Sequence, residues 1–406
     1  MMAAFAHGFR DGFDINLGVG YVNEKTIPVD LFQEAIRAVA NDPVTYRQAF
    51  NYGGPTGSPN LIRSLRSFIL GQPNGLDAET LRRKELIIGP CGATSVLDAL
   101  TDTLPPGIVV TSDPNYYIYS DTLERKGFQI LAVPEDAGGP HLDTLQRKLR
   151  ELGGAVNDIS FFYFVTVNNP SCTMLSNARR RALLDVAAEL SRRQNRRIPI
   201  FYDLAYELLL HDPAAPPFTS VLPADELEIA YEIGTLSKIL APGLRIGYLL
   251  GPSGPFLDAM IQKTSDTGFS APLFVQEMAS WLLDHHIAEQ LRTVNAGYRE
   301  KAVAVSAAIQ RELGPHLEGC IGGHAGFYFY LTFGETRTDP DSRFFQRLAQ
   351  PEDPGQPKVI YIPGTHCVHP RGDLAEAGRR QLRLSYGFED TERIVHAVAM
   401  MRDAIA

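Results

Sequence analysis

The chain has 406 residues, 44% of them hydrophobic and 21% charged, with a formal net charge of −9. That length allows a large core and two domains, and the composition is that of a globular protein. The acidic balance, with no long basic run, argues against a nucleic-acid groove or an anionic membrane surface as the main partner.

Cys91, Cys172, Cys320 and Cys367 are scattered without a Cys-x-x-Cys pair. A disulfide framework or structural zinc site is therefore not expected, and a reducing cytoplasm is the default. The opening MMAAFAHGFRDGF has no basic start followed by an apolar core, so no secretory signal is expected, and no apolar stretch is long enough to span a bilayer. INLGVG (15–20) reads as a short extended piece entering a turn, with helical spacing from Leu31. Gly18 and Gly20 lack the third glycine and the strand-turn-helix frame of a dinucleotide fingerprint. They leave either a segment where backbone approaches a ligand or a plain loop. Residues 51–69 open as a Gly/Pro loop carrying Tyr52, whose phenol either reaches a ligand or packs. Ser58 is placed to cap a helix with Pro59 at its first position. Leu61, Ile62, Leu65, Phe68 and Ile69 then share one helical face.

From residue 86 short apolar runs alternate with helical stretches: 86–89, 108–111, 129–134, 159–165, 198–203, 228–233 and 245–250. Such alternation predicts an α/β domain around a mostly parallel sheet. Its ligand lies beyond the carboxyl ends of the strands, so chemistry is sought just after each run. After the first, Gly92, Ala93 and Thr94 open a helix whose free amides suit an anion. After the second, Tyr116 and Tyr117 follow a turn, and one could stack on a flat ring. The fourth leads to Asn169-Pro170, a turn with an amide donor. The fifth closes on Asp203, a carboxylate that is costly there unless paired, with Tyr206 three residues on. The sixth enters TLSKILAPGLRIGY (235–248). There one lysine, Lys238, follows Thr235 and Ser237 and precedes Pro242-Gly243 and Arg245. This order suits a buried amine that forms a Schiff base beside a phosphate held by the hydroxyls and the arginine.

Past residue 252 a long helical region is expected to Arg311, with turns near Gly268 and a bend near Gly297. Residues 325–333, 358–364 and 380–388 read as strands of a smaller α/β unit, closed by a helix from Thr391 to Ile405. Arg383, which alternates with Leu382 and Leu384, is either solvent-facing or a carboxylate clamp. His366 to His369 reads as a loop, not a metal site.

Amine, phosphate grips, stacking aromatic, amide donor, buried carboxylate and carboxylate clamp describe a pocket for pyridoxal phosphate and an amino acid. On these residues the sequence resembles the fold-type-I, class I/II aminotransferases. The resemblance spans about 16–388. It rests on SK-x-x-x-PGLR-x-GY, on Asp203-x-x-Tyr206 and on Asn169-Pro170. It implies that Lys238 forms the Schiff base and moves the substrate proton, and that Asp203 pairs with the pyridine nitrogen. Tyr206 and Asn169 would bond the ring's phenolic oxygen, and Tyr116 would stack on the ring. Gly92, Ala93, Thr94, Ser237 and Arg245, helped by Thr235, would hold the phosphate. Arg383 would take the substrate α-carboxylate, assisted by Asn169 and the backbone of Gly20.

Tyr52 and a residue near Ser270 would reach the neighbouring subunit's site, which implies a homodimer. The resemblance further implies a large domain (45–275) with a seven-stranded sheet, one strand antiparallel. A small domain would combine both chain ends (1–44 and 276–406). Departures fall at Ser171-Cys172, where Thr-Gly is common, at residues 20–28, where a proline often follows the glycine segment, and at Thr235, where serine is common.

The expected activity is transfer of an amino group between an L-amino acid and a 2-oxo acid, by a cytoplasmic biosynthetic enzyme. A second reading keeps the cofactor but ends in elimination, cyclisation or oxidation. A third, the sensing module of a transcription regulator, finds no room for a DNA-binding region before Asn16. Tyr21, Tyr116, Phe327 and Tyr328 would suit an apolar or aromatic substrate.

Overall fold

Strands form where β-branched and aromatic residues cluster, and helices where caps precede amphipathic stretches. The computed structural model describes residues 8–405, so the N-terminal stretch read as lacking a leader falls partly outside it. In chain order the strands are β1 (Ile15–Asn16), β2 (Lys84–Ile88), β3 (Ile108–Asp113), β4 (Gln129–Asp136), β5 (Gly139–Pro140), β6 (Ile159–Val165) and β7 (Ile200–Asp203). There follow β8 (Ala230–Thr235), β9 (Gly247–Pro252), β10 (Leu317–Gly322), β11 (Tyr328–Phe333), β12 (Val359–Ile360), β13 (Ile362–Pro363) and β14 (Gln381–Ser385).

The large sheet has the order β2-β9-β8-β7-β6-β3-β4-β5. Strands β8, β7, β6, β3 and β4 are mutually parallel, and β9 runs against both of its neighbours. The seven expected strands are all present. The eighth, β5, is a two-residue edge piece paired with the end of β4. Asp136 accepts from the Gly138 amide at 2.8 Å and turns the chain back on itself there. Strands β3, β6, β7 and β8 are buried along their whole length, as continuous apolar runs require in a sheet covered on both faces. Alternate residues serve the two faces. Val109, Phe161, Phe201 and Ile233 pack with Leu97, Leu100 and Leu123, while Val110, Phe162, Ile200 and Tyr202 pack with Leu183 and Ala187.

The expected cap is made: Ser58 Oγ accepts from the amides of Asn60 and Leu61 and donates to Glu277 Oε1 at 2.6 Å. Ser176 Oγ likewise accepts from the Arg179 amide. Each such cap contributes about 1 kcal/mol.

The smaller sheet is antiparallel, β10-β11-β14-β13, and β1 pairs in parallel with β12, so both chain ends meet there. The helices Pro255–Asp266, Leu273–His285 and Ile287–Glu312 follow the large sheet. The bend expected near Gly297 is absent. Gly297 lies inside the last helix, whose buried stripe of Val294, Tyr298, Ala302 and Val305 keeps its period through that point. The chain breaks instead at His286. The loop expected at His366 begins as a helical turn, Gly364–Cys367. Among the described residues no group of His, Cys, Asp and Glu could hold a metal, and no helix is long and apolar enough to cross a membrane.

Candidate active site

The site grows from the β8–β9 crossing. Thr235 ends β8, and its Oγ1 donates to the Ile246 carbonyl at 2.7 Å and accepts from the Ser237 amide at 3.1 Å. This clasp brings Ser237 back beside Thr235, 2.9 Å between hydroxyl oxygens, and sends Lys238 out of the turn that follows. Pro242–Leu244 makes a single 3-10 turn, after which Arg245 takes a left-handed conformation (φ 53, ψ 34). That conformation is uncommon for a residue with a Cβ. It delays β9 to Gly247, two residues later than the apolar run suggests. Arg245 Nη1 donates to the Pro242 carbonyl and Nη2 to that of Cys91, each at 3.1 Å, which lays the guanidinium against the start of the helix Gly92–Thr103.

A cavity of about 380 Å³ opens here. Gly20, Ala93, Thr94, Tyr116, Asn169, Asp203, Tyr206, Thr235, Ser237, Lys238, Arg245 and Arg383 all line it. Phe327, expected beside the substrate, does not, nor do two of the residues expected to hold the cofactor. Gly92 uses its amide on the Arg245 carbonyl at 2.6 Å and lies behind the cavity wall. Tyr52 is 83% exposed on an outer loop.

Lys238 Nζ donates to the Gly20 carbonyl at 2.8 Å and lies 5.4 and 5.5 Å from the ring centres of Tyr206 and Phe327. Burial, then the nearby charges of Arg383 and Arg245, lower its pKa to about 8. Asp203 is buried on the face covered by the helix Gly92–Thr103, and burial raises its pKa. Its Oδ1 accepts from the Ala205 amide at 3.0 Å and its Oδ2 from the Tyr163 hydroxyl at 2.7 Å. Tyr163 was not foreseen. The signal was present: it is the one residue with a polar tip in the aromatic stretch Phe161–Phe164.

Arg383, open between two readings in the sequence, is 2% exposed on β14, the strand between β11 and β13. Nη1 donates to Asn169 Oδ1 at 2.6 Å and Nη2 to the Gly18 carbonyl at 2.5 Å, while Nε is buried without a partner. A guanidinium only donates, so it turns Asn169 Oδ1 towards itself and leaves that amide's N–H groups as donors. The turn bearing Asn169 is pinned by Glu135, which accepts from Asn168 Nδ2 and from Ser171 Oγ, each at 2.8 Å. Cys172, where a glycine is common, takes φ 53, so the turn keeps a geometry that glycine would adopt at less cost.

A second cavity, of about 390 Å³, is lined by Phe68, Phe218, Leu250, Glu232 and Thr235 among others. It contains no lysine and no helix start, so the chemistry belongs to the first.

Lys238, Arg245 and Arg383 all hydrogen-bond to neutral acceptors. Arg383 is buried and Lys238 and Arg245 are half-buried, and none of the three has a direct ion pair among the described residues. Cations withdrawn from water are costly, and a ligand carrying phosphate and carboxylate would offset that cost. An amine, a helix start with hydroxyls and an arginine, a buried carboxylate and a flanking tyrosine suit respectively the aldehyde, phosphate, ring nitrogen and ring face of pyridoxal phosphate. The orphaned Arg383 Nε suits a carboxylate that the cofactor lacks and an amino acid has.

Fold and site together define a pyridoxal-phosphate-dependent transferase. The model of the aminotransferase class I and II family matches residues 14–393, and the chain belongs to that family. It is 26% identical over 351 residues to an uncharacterized HTH-type transcriptional regulator, YisV, of Bacillus subtilis, covering 86% of this chain and 67% of that one. It is also 26% identical to aromatic-amino-acid aminotransferase 1 of Thermococcus litoralis, covering 96% of this chain and 88% of the relative. A multiple substrate aminotransferase from Thermococcus profundus superposes with a TM-score of 0.84 at 21% identity, covering 99% of this chain and 93% of that one.

Proposed function

We propose that the chain is a cytoplasmic, homodimeric biosynthetic enzyme that moves an amino group between an L-amino acid and a 2-oxo acid, with Lys238, Asp203 and Tyr206 as its catalytic residues. The observation that carries the residue assignment is the meeting, in one cavity, of a low-pKa lysine, a buried carboxylate and an arginine with an unpaired Nε. When bound, pyridoxal phosphate supplies an electrophilic aldehyde and a ring that accepts the electron pair of a broken Cα–H bond. Lys238 is neutral in a useful fraction of molecules near neutral pH. Its Nζ would be the group that holds the cofactor's aldehyde carbon and, when free of it, can take and return a proton at the substrate Cα. Asp203 holds a proton on the ring nitrogen, and Tyr163 and Ala205 keep its carboxylate oriented. Tyr206 and Asn169 donate to the ring oxygen. Tyr116 covers the ring face and excludes water.

Ser237, Thr235, Arg245 and the backbone at Ala93-Thr94, with Gly92 shaping that turn, hold the phosphate. Arg383, fixed by Asn169 and Gly18, orients the α-carboxylate, and Gly20 closes that side. A large domain of 45–275 and a small one of 1–44 and 276–406 belong to this reading, supported by the eight-stranded sheet lying between residues 84 and 252 and the four-stranded sheet between 317 and 385. Dimerisation is supported by Val44, Phe50 and Tyr52, the three most exposed large apolar side chains among the described residues. The Ser270 hydroxyl ties the neighbouring loop to theirs by donating to the Gly54 carbonyl at 2.8 Å.

The test is the absorbance of the cofactor-loaded protein as single amino acids are added without an oxo acid. Conversion of pyridoxal phosphate to pyridoxamine phosphate, reversed by a 2-oxo acid, is expected. Release of ammonia or another product would instead make it a lyase or oxidase. Cofactor uptake with neither outcome would make it a sensor, the role that the regulator relative raises.

A further inference from the structure

Tyr328, fully buried at the start of β11, touches three parts of the site at once. Its hydroxyl oxygen is 2.8 Å from that of Tyr206. Its ring centre is 4.3 Å from Arg383 Cζ, within cation–π range. A Cβ on Gly20, whose carbonyl accepts from Lys238, would come within 2.6 Å of the Tyr328 hydroxyl, so the Gly20 backbone lies close against that hydroxyl. The direction of the Tyr206–Tyr328 bond follows from counting protons. A phenol has one proton. If Tyr206 gives its own to the cofactor's ring oxygen, it can meet Tyr328 only as an acceptor. Tyr328 must then be the donor, and its hydroxyl has no other hydrogen-bond partner among the described residues. Two phenols donating in series polarise one another, so the outer one strengthens the bond made by the inner.

We propose that Tyr328 is a positioning residue with two separable jobs: its hydroxyl tunes, through Tyr206, the bond to the cofactor's ring oxygen, and its ring face holds the Arg383 clamp. This rests on the roles given above to Tyr206 and Arg383. Tyr328→Phe removes the first job and keeps the second, while Tyr328→Leu removes both.

The readouts are the pH midpoint of the visible absorbance of the pyridoxal-phosphate-loaded protein and the KM for an amino acid. A donor to the ring oxygen stabilises the form with more negative charge on that oxygen, so a weaker donor moves the midpoint up. Tyr328→Phe is expected to raise the midpoint by about half a unit. Tyr328→Leu is expected to raise it equally and to raise KM about 3–30-fold, far more than the Phe variant does. In a Tyr206→Phe background, Tyr328→Phe should move the midpoint no further. A midpoint that shifts in Tyr206→Phe but not in Tyr328→Phe overturns the proposal and leaves the cofactor reading standing, as does an undiminished shift from Tyr328→Phe in the Tyr206→Phe background. A KM that moves alike in the Phe and Leu variants removes the clamp role. A midpoint unmoved in Tyr206→Phe itself overturns the reading and the relay together.

Discussion

Lys238 is a half-buried amine on whose charge Arg383, Arg245 and Asp203 all act, and its environment makes a prediction that needs no cofactor. Burial first, then Arg383 and Arg245, bring its pKa from an ordinary 10.5 to about 8. Between these values the unfolded chain holds the proton and the native chain does not, so stability rises with pH across that window. Below pH 8 the native state bears the whole cost, about 3 kcal/mol at most. Lys238→Met removes the charge and keeps much of the volume. In urea titrations without cofactor it is expected to be more stable than the parent at pH 7 by about 1–3 kcal/mol, with the gap closing as pH rises from 8 to 10.5. A gap that stays constant with pH would mean that the amine is well solvated. Arg383 is fixed by bonds to Asn169 and Gly18 while its Nε has no partner, the arrangement on which its proposed role as a carboxylate clamp rests.

Among the elements, the start of β9 and the start of the helix Gly92–Thr103 act as one piece. The Gly92 amide donates to the Arg245 carbonyl and the Gly89 amide to that of Gly247. A Cβ on Gly247 would lie 2.1 Å from the Ala93 nitrogen, so only glycine lets the strand pass behind the proposed phosphate cradle. Gly247→Ala should therefore push the helix start outward while the sheet stays folded. Overpacking of this kind costs about 1–3 kcal/mol, so cofactor affinity is expected to fall about 10–100-fold by equilibrium dialysis, with an unchanged far-ultraviolet circular dichroism spectrum. Affinity within twofold of the parent would show that the helix start does not hold the phosphate.

For the whole molecule, the loop carrying Val44, Phe50 and Tyr52 holds the three most exposed large apolar side chains among the described residues. Phe50 stacks on Phe274 with ring centres 5.0 Å apart, so the patch is ordered against the body of the protein. In the proposed homodimer Tyr52 would reach the partner's phosphate, so Phe50→Glu is expected to give monomers in sedimentation and weaker cofactor binding. A stable dimer in that variant would place the interface elsewhere. Chain topology shows what was legible beforehand. The seven strands, the Ser58 cap and the residues at the strand ends were readable in the sequence, because an apolar run, a Pro-Gly pair or a cap is written within a few neighbouring residues. Arg383 was not resolved between solvent and clamp. Its face was decided by pairing between β11 and β13 and by Asn169, 214 residues away. Tyr163 beneath Asp203 and Tyr328 behind Tyr206 were likewise set by which strands lie side by side. The uninterrupted helix at Gly297 was set by tertiary burial outweighing local propensity. The sequence by itself determined the cofactor chemistry and the α/β class with its mostly parallel sheet, since both are written in local pattern. Only the tertiary structure decided which polar atoms share the cavity and which are left unpaired, since that depends on contacts between residues far apart in the chain.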